Sequence, residues 1–106
     1  MKKESKTHFV KIYMSGPIEE AKQIIRKECL EEGLCVNVRK TDYVYTGGEE
    51  TGFVVELLNY PRFPITPKAL EDRASKLAIK LLDGTFQHSV LLMGPIKTTW
   101  ISKRRQ

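Results

Sequence analysis

Apolar and polar positions alternate from His8 to Met14, with His8, Val10, Ile12 and Met14 on one side and Phe9, Lys11 and Tyr13 on the other. A period of two among residues that favour extended backbone predicts a strand. Ser15-Gly16-Pro17 then turns the chain. Pro17 suits a first helical position, and Glu19 and Glu20 suit the positive end of a helix dipole. Ile18, Ala21, Ile25 and Cys29 recur at spacings of three and four, and Gly33 suits a left-handed closing residue, so a helix is predicted over Pro17–Glu32. Leu34–Tyr45 reads as a second strand, interrupted at Lys40-Thr41-Asp42, where a bulge or a sheet edge is expected. Residues 46–52 are dense in turn formers and read as the loop of a long hairpin, with a third strand over Phe53–Asn59.

Two prolines exclude helix from Tyr60-Pro61-Arg62-Phe63-Pro64, which becomes a stiff connector. Thr66-Pro67 is a cap and first-position pair, and Leu70, Ala74, Leu77, Ala78 and Leu81 make the cleanest apolar stripe in the chain. The second helix is therefore predicted over Pro67–Asp83, closed by Gly84, and followed by a strand over Phe86–Met93 and a short additional one over Lys97–Ser102. This order predicts an α+β, ferredoxin-like β-α-β-β-α-β sandwich, with both helices on one face of an antiparallel sheet and a C-terminal strand that extends or covers it. One domain is expected over residues 8–102, between basic tails at 1–7, read as flexible, and 103–106.

Composition changes this picture little, but charge sharpens it. The net charge of +5 is carried by the two tails, and residues 8–102 are formally neutral. No apolar run approaches the roughly 18 residues of a membrane span, so a cytoplasmic protein with no membrane association is expected. Cys29 and Cys35 form no ligand cluster with His8 or His88 and read as buried thiols, so no metal and no cofactor is expected.

No Gly-x-Ser-x-Gly turn or nucleophilic triad occurs, and Gly47-Gly48 lacks the Lys-Ser/Thr of a phosphate loop. Glu49 and Glu50 read as solvated charges on a hairpin tip rather than as an acid/base pair. Tyr60, Arg62 and Phe63, stiffened by Pro61 and Pro64, are of the kinds that anchor interfaces.

Ile12-Tyr13-Met14 with Ser15-Gly16, and Gly52-Phe53-Val54-Val55, resemble the first- and third-strand motifs of RNA-recognition-motif domains. The resemblance implies base stacking on Tyr13 and Phe53, and the charge of Lys103, Arg104 and Arg105 suits a phosphate backbone. Val55 stands where that family has a second aromatic, and Glu56 follows it. Tyr13-Met14-Ser15-Gly16-Pro17-Ile18 also resembles the strand-to-helix opening of nucleoside deoxyribosyltransferases, which implies a parallel architecture that the predicted hairpin does not supply. Tyr43-Val44-Tyr45-Thr46-Gly47-Gly48-Glu49-Glu50 and Asn59-Tyr60-Pro61-Arg62-Phe63-Pro64 resemble small uncharacterised bacteriophage and prophage proteins. The expectation is thus a non-enzymatic, phage-derived module that binds a protein partner through Tyr60, Arg62 and Phe63. The alternative is RNA or single-stranded nucleic acid bound by the open sheet face and basic tails, and a homodimer is compatible with either.

Overall fold

A computed structural model describes residues 1–103. Its elements are β1 (Phe9–Ser15), α1 (Ile18–Glu32), β2 (Val36–Tyr45), β3 (Gly48–Leu58), α2 (Pro67–Gly84), β4 (Ser89–Met93) and β5 (Thr98–Ser102). The strands form one antiparallel sheet in the order β2-β3-β1-β4-β5. This is the expected α+β arrangement, and β5 extends the sheet beyond β4 instead of covering a face.

The alternation in β1 does what its period dictates. Val10, Ile12 and Met14 are buried beneath the helices, and Phe53, Val55 and Leu57 join them from β3 in register. Ala21 and Ile25 of α1 and Leu70, Ala74, Leu77, Ala78 and Leu81 of α2 close this core from above. Ion pairs join the helices along their outer seam, Lys80 with the buried Glu28 and Lys76 with Glu32 at 2.7 Å.

Several boundaries differ from the sequence expectation for identifiable reasons. Pro17 is the cap of α1 rather than its first turn, with extended backbone at ψ 115°. Gly84 still belongs to α2, because a side chain there would meet Ile24 Cδ1 of α1 at 2.3 Å; its role is close helix approach. The left-handed residue after the helix is Phe86 (φ 57°), and the Gln87 amide donates to the Leu82 carbonyl, so a Schellman closure forms around a phenylalanine. That turn delays β4 to Ser89. β2 pairs with β3 in unbroken register, so there is no bulge at Asp42; the interrupted pattern marks the sheet edge. Cys29 is half-buried, and burial raises its thiol pKa, but Cys35 is exposed, because it precedes the first paired residue of that edge strand.

Near the N-terminus, Ser5 Oγ donates to the Asn59 carbonyl, and the Asn59 side chain donates to the Lys6 carbonyl at 2.7 Å. His8 is buried, with its Nε2 2.8 Å from the Ile65 carbonyl oxygen. No helix among the described residues is long and apolar enough to cross a membrane.

Candidate functional site

Among the described residues no element covers the sheet face away from the helices, and its side chains follow from the register. One rung across it runs Arg39, Val54, Tyr13, Leu91, Trp100; the next runs Asn37, Glu56, Lys11, Met93, Thr98. In the opposite direction come Thr41, Gly52 and Ser15, then Tyr43 beside Glu50. The second rung is electrostatically settled, with Lys11 3.6 Å from Glu56.

Toward the Tyr43–Glu50 end the face is hollowed into an open cleft of about 320 Å³, lined by Tyr13, Ser15, Tyr43, Glu50, Leu91 and Trp100 among others. Its size is at the lower end for small-molecule sites. Each wall has a structural cause. Glu50 is placed because the chain turns on Thr46-Gly47, with Gly47 at φ 85°, so β3 begins at Gly48 and carries the carboxylate onto a paired strand. Ser15 Oγ donates to Glu50 Oε2 at 2.6 Å, which fixes the carboxylate against the end of β1.

Tyr43 reaches across β3. Its hydroxyl donates to the Phe53 carbonyl at 2.7 Å and accepts from the Met14 amide at 3.0 Å, bridging the β1–β3 ladder. Burial raises the Tyr43 pKa, opposed in part by the Met14 amide. With both roles of the hydroxyl occupied, the ring serves as a wall rather than a proton donor. Gly52 makes this crossing possible: a Cβ there would lie 2.7 Å from Tyr43 Cε2 and 2.2 Å from the Met14 carbonyl oxygen.

The residues singled out from sequence are dispersed by the fold. Tyr13 stands on the open face, in the cleft. Phe53 is on the helix side, fully buried opposite Met14, so it offers no stacking surface beside Tyr13; a one-residue offset along a strand changes the face. Lys103 lies at the end of β5, where its amide donates to the His88 carbonyl and its ammonium pairs with Asp83. Arg104 and Arg105 lie outside the described residues. Tyr60, Arg62 and Phe63 form a tight exposed turn, closed by the Phe63 amide on the Tyr60 carbonyl at 2.8 Å, with the Arg62 guanidinium 5.5 Å from the Phe63 ring centre. That turn is separate from the cleft lining.

Glu50 and Trp100 were missed as site residues. Glycine-flanked carboxylates read as loop, and a short terminal strand gives no indication of its partner. Placing the turn at Thr46-Gly47 would have set Glu50 opposite Tyr43 by counting alone.

No protein-family model matches this chain, and no curated protein sequence does. Among solved structures, a phage SAM lyase in its apo state shares the fold, with a TM-score of 0.67 and 12% identity over 93% of this chain and 91% of that one. A phage SAM lyase in complex with S-methyl-5'-thioadenosine is likewise similar, with a TM-score of 0.64 and 11% identity over 96% of this chain and 94% of that one. This finding corrects the expectation of a non-enzymatic binding module. The expectation rested on missing nucleophile and phosphate-loop motifs, yet these two solved structures, which share the architecture, are both of an enzyme.

Proposed function

We propose that this chain is a lyase of phage type that acts on S-adenosylmethionine in the open-face cleft and releases S-methyl-5'-thioadenosine. The observation that carries the reading is the coincidence of a near full-length fold match to SAM lyase with a cleft whose walls are aromatic and whose one charged lining group, among the described residues, is a carboxylate. A sulfonium nucleoside calls for that chemistry. Tyr13 and Trp100 offer π-faces to a cation and a flat surface to the adenine, and Glu50 offers the opposite charge.

Reaching the thioether requires breaking the bond between sulfur and the aminobutyryl γ-carbon, with the electron pair remaining on sulfur. The substrate's own carboxylate can form the new bond to that carbon, closing a five-membered lactone. Atoms and charge then balance without water, and no side chain has to act as nucleophile. A positive sulfonium and a negative carboxylate cancel along this path, so a site that holds the arm folded, with the carboxylate behind the γ-carbon, lowers the barrier through orientation. The failure of the sequence to display a triad is compatible with such chemistry.

The test is direct. Purified protein incubated with S-adenosylmethionine should release S-methyl-5'-thioadenosine, followed by chromatography and mass spectrometry, and Trp100→Ala should slow release with the fold intact. A folded preparation that yields none of the thioether, at a detection limit well below one turnover, overturns the reading.

A further inference from the structure

We infer that Glu50 is a specificity-determining residue that reads the charge on sulfur, making the cleft favour a cationic sulfonium nucleoside over neutral nucleoside thioethers, the reaction product included. The inference rests on the lyase reading and deepens it.

The chain carries a net charge of +5, but the cleft does not share it. Among the described lining residues Glu50 is the only charged one, and no Lys, Arg or His side chain joins it. The nearby basic groups are accounted for. Lys11, on the same face, is paired with Glu56, and Lys103, which follows Ile101 onto the helix side, is paired there with Asp83 of α2. Arg39 begins the rung that carries Tyr13 and Trp100 but is not among the cleft-lining residues. It stands four residues along β2 from Tyr43, the partner of Glu50, roughly 13 Å of strand. Among the described lining residues, one carboxylate therefore sets the charge that a ligand meets at the cleft wall.

The carboxylate is also held in place. Ser15 Oγ donates to one of its oxygens, which fixes its direction and leaves the other oxygen free of any Ser15 contact. The aromatic walls act in the same sense, since Tyr13 and Trp100 attract a cation and have no such preference for a neutral sulfur. Cleavage removes the charge on sulfur, so the same groups that hold the substrate hold the product less strongly, and release follows from the chemistry. A kinetic signature follows too. The sulfonium charge is being lost in the transition state, so Glu50 favours the bound substrate more than the transition state, and its loss falls on KM.

The test uses equilibrium binding of three probes to the full chain. They are a net-cationic amine analogue of S-adenosylmethionine with an ammonium in place of the methylsulfonium, neutral S-adenosylhomocysteine, and S-methyl-5'-thioadenosine. The wild type should prefer the cationic analogue by about tenfold or more over both thioethers, a preference that weakens with added salt. Glu50→Gln keeps an acceptor for Ser15 and should collapse the preference to about twofold by weakening the cationic analogue alone, while Glu50→Asp retains part of it. In turnover, the Glu50→Gln loss in kcat/KM should appear in KM.

Equal affinities in the wild type, or a preference untouched by Glu50→Gln, overturn the inference while leaving the lyase reading standing. If Glu50→Gln weakens the cationic analogue and S-adenosylhomocysteine equally and spares the thioadenosine, the carboxylate reads the α-ammonium instead, and the inference also falls. If no probe binds a folded protein, the lyase reading fails and takes the inference with it.

Discussion

The two faces of the same sheet are built from the same strands and have opposite characters. On β1, Val10, Ile12 and Met14 are 3%, 0% and 2% exposed, whereas their neighbours Lys11, Tyr13 and Ser15 are only half-buried. Helices cover the centre of the first face, and the side chains there are held by packing, whereas Val44, on the same face near the end of β2, is 78% exposed. On the second, Val54 is 5% exposed with no helix above it, shielded by its rung neighbours, while Trp100 in the same rung stays 52% exposed. Stability and chemistry are thus separated by a single residue step, and the open face can carry an acid, two tyrosines and a tryptophan because the fold does not depend on filling it.

Substitutions test that contrast, beginning on the covered face. Leu77→Ala, at a site 1% exposed, should destabilise the fold by about 2–5 kcal/mol in denaturant titration. A loss under about 1 kcal/mol would mean that the helix side is not the load-carrying one. Gly52→Ala comes next, since the new methyl meets backbone and the Tyr43 ring. It should cost roughly 1–3 kcal/mol and reduce turnover of S-adenosylmethionine beyond what the fold loss explains, with near-ultraviolet circular dichroism reporting a displaced tyrosine.

Tyr43→Phe removes the hydroxyl bridge between β1 and β3 and should cost about 1 kcal/mol. It also carries a pH signature. The Tyr43 pKa is raised in the folded state, so the folded protein keeps its phenolic proton where the unfolded chain loses it. Stability should therefore fall as pH rises above the ordinary tyrosine value of about 10, over the interval up to the folded value. Tyr43→Phe should flatten that alkaline limb in melts recorded against pH, and an unchanged slope would assign it to other groups. Smallest on stability is Trp100→Ala, which should shift unfolding by less than about 0.5 kcal/mol, yet is expected to weaken nucleoside binding measurably by calorimetry.

Much of the scaffold was legible in the chain itself. The period of two in residues 8–14, the stripes through Ala21 and Ile25 and through Leu70 to Leu81, and the Thr66-Pro67 start all act through local backbone geometry. The Thr66 hydroxyl does accept from the Ala69 amide, at 3.2 Å. Turn chemistry was less reliable, because both Gly84 and the glycine-rich 46–52 segment were read by composition. Gly84 answers to the helix packed against it, and Gly48, Glu49, Glu50, Thr51 and Gly52 answer to the strand paired with them.

The elements, their order and the buried side of each helix are written in the local spacing of residues, since they follow from that spacing and from the cost of exposing apolar surface. The cleft is not written there and arises from long-range pairing. Phe53 and Tyr13 looked alike as strand aromatics, and register alone sent one into the core and the other to the cleft. Tyr43, Glu50, Ser15 and Trp100 come from four different strands. Their convergence depends on strand order and on long-range pairing, whose hydrogen bonds join backbone groups that carry no residue identity, so no local pattern in the chain records it.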